Sequence, residues 1–161
     1  MLGIKADWEK TYEIQEQMRN AVSLSEWAQL ADDTRYSLII AGYGEITWPS
    51  NLADIKVLNK WGLQQGDSNY IRVLKGTEFL YSNKDDGNVW TESTLGIWAD
   101  TRYVASVENS DSIITVADKD YLANSSGLNI VVFDNNYRMV VGHLTLKVSE
   151  DGTIDILYLD E

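Results

Sequence analysis

Few side chains in this sequence are suited to bond-making chemistry. The lone histidine, His143, sits in VVGHLTLKV with apolar neighbours on both sides. A histidine acting as general base needs an orienting partner and a nucleophile to activate. The chain has no cysteine and no Gly-x-Ser-x-Gly elbow, so no nucleophile is visible. His143 therefore reads as a strand histidine on a solvated or half-buried face. Without a second histidine, catalytic zinc sites lose their usual ligands, and only carboxylate metal sites stay open. Asp118-Lys119-Asp120 has the D-x-D shape used to hold a divalent ion and a nucleotide sugar. Such triplets arise freely among 25 Asp and Glu residues, and no βαβ unit surrounds this one. Asp85-Asp86-Gly87-Asn88 opens like a calcium loop but lacks the closing Glu, so it reads as a turn. Phosphate-cradling glycine motifs are absent from the sequence. The expectation is no catalytic residue, no metal and no cofactor.

Aromatic residues suit recognition better than catalysis. Six Trp and nine Tyr stand against two Phe. Trp and Tyr join an apolar ring to a polar handle, which suits surfaces that are half apolar and half wet, sugar faces among them. The competing reading is that they fill a β-rich core. The chain carries a net charge of -12 and a pI near 4.4, which argues against nucleic acid or an anionic membrane as partner. Absence of cysteine excludes disulfide scaffolds and iron–sulfur clusters and fits a bacterial extracytoplasmic protein. No apolar run approaches 18 residues and no signal peptide opens the chain. This reads as a soluble protein or a piece of a larger one, with no direct membrane insertion.

The elements that would position these groups are helical early and β-rich late. Residues 7–24 read as an amphipathic helix with Trp8, Tyr12 and Met18 on its buried stripe, continued by Ala21 and Val22. Ser23 and Glu26 have capping-box spacing for a second short helix. The apolar run Tyr36–Gly42 predicts a strand buried on both faces. A third helix follows Pro49-Ser50, with Leu52, Ile55, Leu58 and Trp61 in phase, and Gly62 is placed to stop it. Strands are expected at 70–76, 78–82, 89–93, 103–108, 112–117, 128–133, 139–148 and 154–159, with Lys84–Asn88 as a hairpin turn. The fold class is α+β: an antiparallel sheet or sandwich flanked by two or three helices.

The segment Ser126–Asp134, SGLNIVVFD, sets one polar residue, Asn129, into an apolar strand. A buried Asn there must satisfy its amide on a neighbouring loop or a ligand. SSGLNIVVFDNNYRMVVGHLTL resembles the Gly-Leu-Asn-Ile-Val-Val-Tyr-Asp strand and hairpin of the interleukin-like EMT inducer (ILEI) domain. That family occurs in secreted cytokine-like proteins, in the stem of a Golgi N-acetylglucosaminyltransferase acting on O-mannose, and in bacterial cell-surface proteins. The preceding ASVENSDSIITVADKDYLANSSGLN is similar to its two entering strands, and residues 26–65 resemble its helix–strand–helix half. Here the two halves stand in inverted order. The resemblance therefore implies either a permuted ILEI-like domain over 25–161, preceded by the 1–24 helix, or halves of two units at 25–82 and 103–161. A permutation requires Leu128–Phe133 to share a sheet with Ser37–Ala41.

The resemblance implies a noncatalytic carbohydrate-binding or cell-surface recognition module of a larger bacterial envelope protein, outside the cell. Its partner would be a glycan or a cell-envelope protein. The alternatives are a structural or protein–protein interaction domain with no glycan ligand, and a glycosidase with paired carboxylates. Candidate ligand-binding residues are Tyr43, Glu45 and Trp48 in the segment after the buried strand. Trp90 and Trp98 offer a second platform, and Asn129 completes the set. Loops held by a rigid sheet are where such residues serve binding.

Overall fold

The computed structural model describes residues 6–82, 89–92, 97–100, 112–116, 119–123 and 128–159. The Lys84–Asn88 turn, the 103–108 strand and Asp118 lie outside the described residues. The chain runs α1 (Asp7–Arg19), α2 (Leu24–Ala31), β1 (Tyr36–Glu45), α3 (Leu52–Lys60), β2 (Ser68–Lys75) and β3 (Glu78–Ser82). It continues β4 (Val89–Glu92), β5 (Ile97–Asp100), β6 (Ser112–Val116), β7 (Lys119–Ala123), β8 (Leu128–Asp134), β9 (Met139–Val148) and β10 (Ile154–Tyr158). The fold is α+β. Six strands form one antiparallel sheet in the order β10-β9-β8-β1-β2-β3, and β4-β5-β6-β7 form a second antiparallel sheet.

Three local signals act as the sequence predicts. The Ser23 hydroxyl accepts from the Glu26 N–H and starts α2. Gly62, at φ 78°, lets the backbone of α3 turn left-handed, and the Leu63 N–H returns to the Leu58 carbonyl. Leu63 is then fully buried. Asp134 opens the β8–β9 turn, its side chain accepting from the N–H groups of Asn136 and Tyr137. The third helix differs slightly: Asn51, one residue past Ser50, is its cap and accepts from the Asp54 N–H.

β1 is buried on both faces, as its apolar run requires. Leu38 and Ile40 join the core beneath the helices with Trp27, Leu58, Trp61, Leu74, Ile130 and Leu144. Ile39 and Ala41 face the other way, against Ile114, Val116 and Tyr121 of the second sheet. β8 lies directly beside β1, with Leu38 opposite Val132 and Ala41 opposite Asn129. The strand expected near Leu128–Phe133 thus shares a sheet with Ser37–Ala41 across about 90 residues of intervening chain.

α1 seats on a different face from the one the aromatic spacing predicts. Thr11 and Met18 are buried and Ile14 packs against the core, while Trp8 is 64% and Tyr12 59% exposed. Val22 is exposed too. Trp and Tyr tolerate water through their polar handles, so their spacing alone does not name the buried stripe. β5 and β7 are strands that the residues alone do not predict. The pairing of Val116 with Lys119 leaves only two positions between β6 and β7, neither of them Gly or Pro.

Candidate functional site

β1 ends in an irregular segment. Its pairing with β2 shifts between Gly42 and Glu45. Gly42 is required there because the Tyr70 ring occupies the space a Cβ would need. Burial pushes the Tyr70 phenol above its ordinary pKa, so it stays neutral over Gly42. Past the shift, Glu45 is exposed, and Ile46 turns inward with its N–H on the Asp67 carbonyl at 2.8 Å. Trp48 is half-buried and packs against the helix-side core. The backbone then docks on the β9–β10 turn, where the Ser50 and Asn51 N–H groups donate to the Gly152 carbonyl. Glu45 and Trp48 therefore sit on a segment fixed at both ends. Tyr43 belongs to β1, and its side chain lies outside the described set.

Asn129 and His143 form a buried polar relay on the opposite face of the same sheet end. Asn129 is fully buried and His143 is 6% exposed, so His143 is not on a solvated or half-buried face. The covering comes from β7, which packs its Tyr121 ring edge-on to the imidazole at 5.2 Å. The Asn129 Nδ2 donates to the Tyr121 carbonyl at 3.2 Å, which fixes the amide orientation. Its Oδ1 is 2.7 Å from His143 Nε2. An amide oxygen only accepts, so Nε2 carries the proton and donates. Protonation of the ring would keep this bond, and Nε2 cannot serve as a base while it holds. The amide of Asn129 is satisfied by neighbouring strands. Thr145, beside Asn129 in the β8–β9 register and also buried, has an Oγ1 with no hydrogen-bond partner.

Trp90 is in β4 and Trp98 in β5, and their side chains lie outside the described set. Trp90 pairs with Ala99, and Thr91 with Trp98. Because strand positions alternate, the register places 90 and 98 on opposite faces of the second sheet. Position 90 shares the face of Ile114 and Tyr121, and position 98 shares that of Thr115 and Asp120.

A charged network that sequence reading did not single out binds α1 to the β8–β9 turn. Arg35 donates from Nε to Asp134 at 3.0 Å and from Nη1 to Asp7 at 3.2 Å. Its guanidinium lies 4.9 Å over the Tyr137 ring, and the Tyr137 hydroxyl donates to Asp7. Burial disfavours the Arg35 charge, but its bonds to Asp134 and Asp7 outweigh that and raise its pKa. The hydrogen bond from Arg35, with that from Tyr137, holds Asp7 below the ordinary carboxylate range. No local pattern around Arg35 announces this cluster, since its partners lie 28 and 99 positions away.

No group of three or more His, Asp or Glu side chains among the described residues is arranged to hold a metal ion. Comparisons with protein-family models, curated proteins and solved structures return no match for the chain.

Proposed function

We propose that this chain is a noncatalytic carbohydrate-binding or cell-surface recognition module of a larger bacterial envelope protein. Its partner is a glycan or a cell-envelope protein, met outside the cell. The scaffold is read as an ILEI-like sandwich with permuted halves. The adjacency of β8 and β1 is what a permutation requires, and the packing of Ile114, Val116 and Tyr121 on the six-stranded sheet suits a sandwich.

The observation that carries the functional reading is the pairing of half-buried Trp48 with exposed Glu45 on a segment pinned past the end of the central strand. An indole held against the core offers a rigid stacking surface, and a nearby carboxylate accepts from sugar hydroxyls. The engagement of His143 Nε2 by Asn129 supports the noncatalytic part. Asn129, a candidate ligand contact by sequence, acts in this reading as the support that holds that end of the sheet. The test is a glycan array probed with the purified chain. Binding is expected, and Trp48→Ala should weaken it by about 1–2 kcal/mol. An array with no binder, or full affinity in Trp48→Ala, would overturn the stacking model.

The reading as a protein–protein interaction domain is favoured by a separate observation, the exposure of Trp8 and Tyr12 one turn apart on α1. In that case Trp8→Ser with Tyr12→Ser abolishes capture of an envelope protein, and Trp48→Ala leaves it intact.

A further inference from the structure

We propose that α1 is a strap, held by a polar latch at each end, that lifts from the six-stranded sheet as a unit while the sheet stays folded. The first latch is Asp7, whose carboxylate takes hydrogen bonds from Arg35 and Tyr137. The second is Arg19, which reaches the Val141 carbonyl of β9 at 3.4 Å and lies 4.5 Å over the Tyr158 ring of β10. Between them the helix gives the core little. Met18 is its only buried apolar side chain, Ile14 is partly buried, and the hydroxyl of buried Thr11 is spent on the Asp7 carbonyl of its own helix.

Two of the groups that the latches hold keep bonds in which α1 takes no part. Arg35 keeps its bond to fully buried Asp134 without Asp7, and Tyr158 keeps the 2.8 Å bond from Trp27 without Arg19. The hinge is also defined. Residues 20–23 join α1 to α2, with Asn20, Val22 and Ser23 exposed, and the Ser23 cap stops unravelling at the start of α2. Both latches involve charge at the surface, Asp7 being 67% exposed at its side chain, so salt weakens them far more than it weakens the apolar core. Lifting α1 uncovers the helix-side core around Met18.

Hydrogen exchange read by mass spectrometry on the whole chain tests this, comparing about 0.01 M with about 1 M NaCl, where screening lengths are about 30 and about 3 Å. The expected result is that α1 amides exchange about tenfold faster or more at high salt, while β1 and β8 keep their protection. The double variant Asp7→Asn, Arg19→Met should show the same fast α1 exchange at low salt and lose the salt response. Exchange of α1 in step with β1 and β8 at both salt levels would overturn the strap. So would α1 protection that salt leaves unchanged. The wild-type salt comparison decides even where the double variant does not fold.

Discussion

The two faces of the six-stranded sheet solve burial differently. Beneath the helices, the core is built from large apolar groups: Trp27 and Trp61 meet edge to face at 6.1 Å, with Leu24, Leu58 and Leu63 fully buried around them. The polar groups buried there make separate bonds: the Trp27 indole donates to the Tyr158 hydroxyl, Arg72 donates to the Gly62 carbonyl, and Asp54 accepts from the Ile154 N–H. The face toward the second sheet has a smaller apolar cluster, and among the described residues the polar Ser37, Asn129, His143 and Thr145 are buried on it. The helix side is held mainly by the packing of large apolar groups. The other side combines packing with a directional relay, in which one amide links β7, β8 and β9.

The contrast fixes the ranking of mutational effects. Trp27→Ala empties a fully buried site and removes the donor to Tyr158, so unfolding in denaturant should show a loss of about 3–5 kcal/mol. Asn129→Ala takes away little volume but removes both the donor to the Tyr121 carbonyl and the acceptor of the His143 Nε2–H. About 2–3 kcal/mol should be lost, and an equal cost for Trp27→Ala and Asn129→Ala would break the comparison. Thr145→Val should go the other way. Its Oγ1 has no partner, so the methyl in its place should leave stability unchanged or raise it by about 1 kcal/mol in the same assay.

The smallest effect lies in the β9–β10 turn that anchors the Trp48 segment. Asp151 accepts from the hydroxyls of Ser149 and Thr153 and from the Thr153 N–H. The Ser149 bond, then those of Thr153, hold its carboxyl down to about 2. A depressed folded pKa adds stability that is fully present above the unfolded value near 3.8 and is lost as pH falls toward 2. Turn amide signals followed by NMR should thus be constant above about pH 5 and change only below about pH 4, and Asp151→Ala should abolish that response.

What the sequence discloses is local. The Ser23–Glu26 spacing, the Gly62 stop and the Asp134 turn each act through partners within a few positions, and all are legible. The Tyr36–Gly42 run shows that this part of β1 is covered twice, because an unbroken apolar run leaves no wet face. What covers each face is not legible. His143 is buried because β7 lies over it, and β7 itself opens with Lys119 and Asp120, which read as surface. The same limit hides the Arg35 network and sets Trp8, Tyr12 and Val22 on the buried stripe, of which Met18 is buried and Ala21 packs on the core. Asn129 was legible as a residue needing a partner, but the partner, Tyr121, is a backbone carbonyl that no side-chain pattern reveals.

On the proposed reading, recognition occurs at the Glu45–Trp48 segment and His143 takes no part in it. Two-dimensional NMR of the nitrogen-15-labelled chain, titrated with the strongest binder from the glycan array, reads both halves at once. The Trp48 indole N–H signal should shift on titration, the Trp27 indole bonded to Tyr158 should stay fixed, and the glycan should emerge unaltered. Glycan cleavage lost on His143→Ala, or shifts confined to residues other than Glu45 and Trp48, would contradict it.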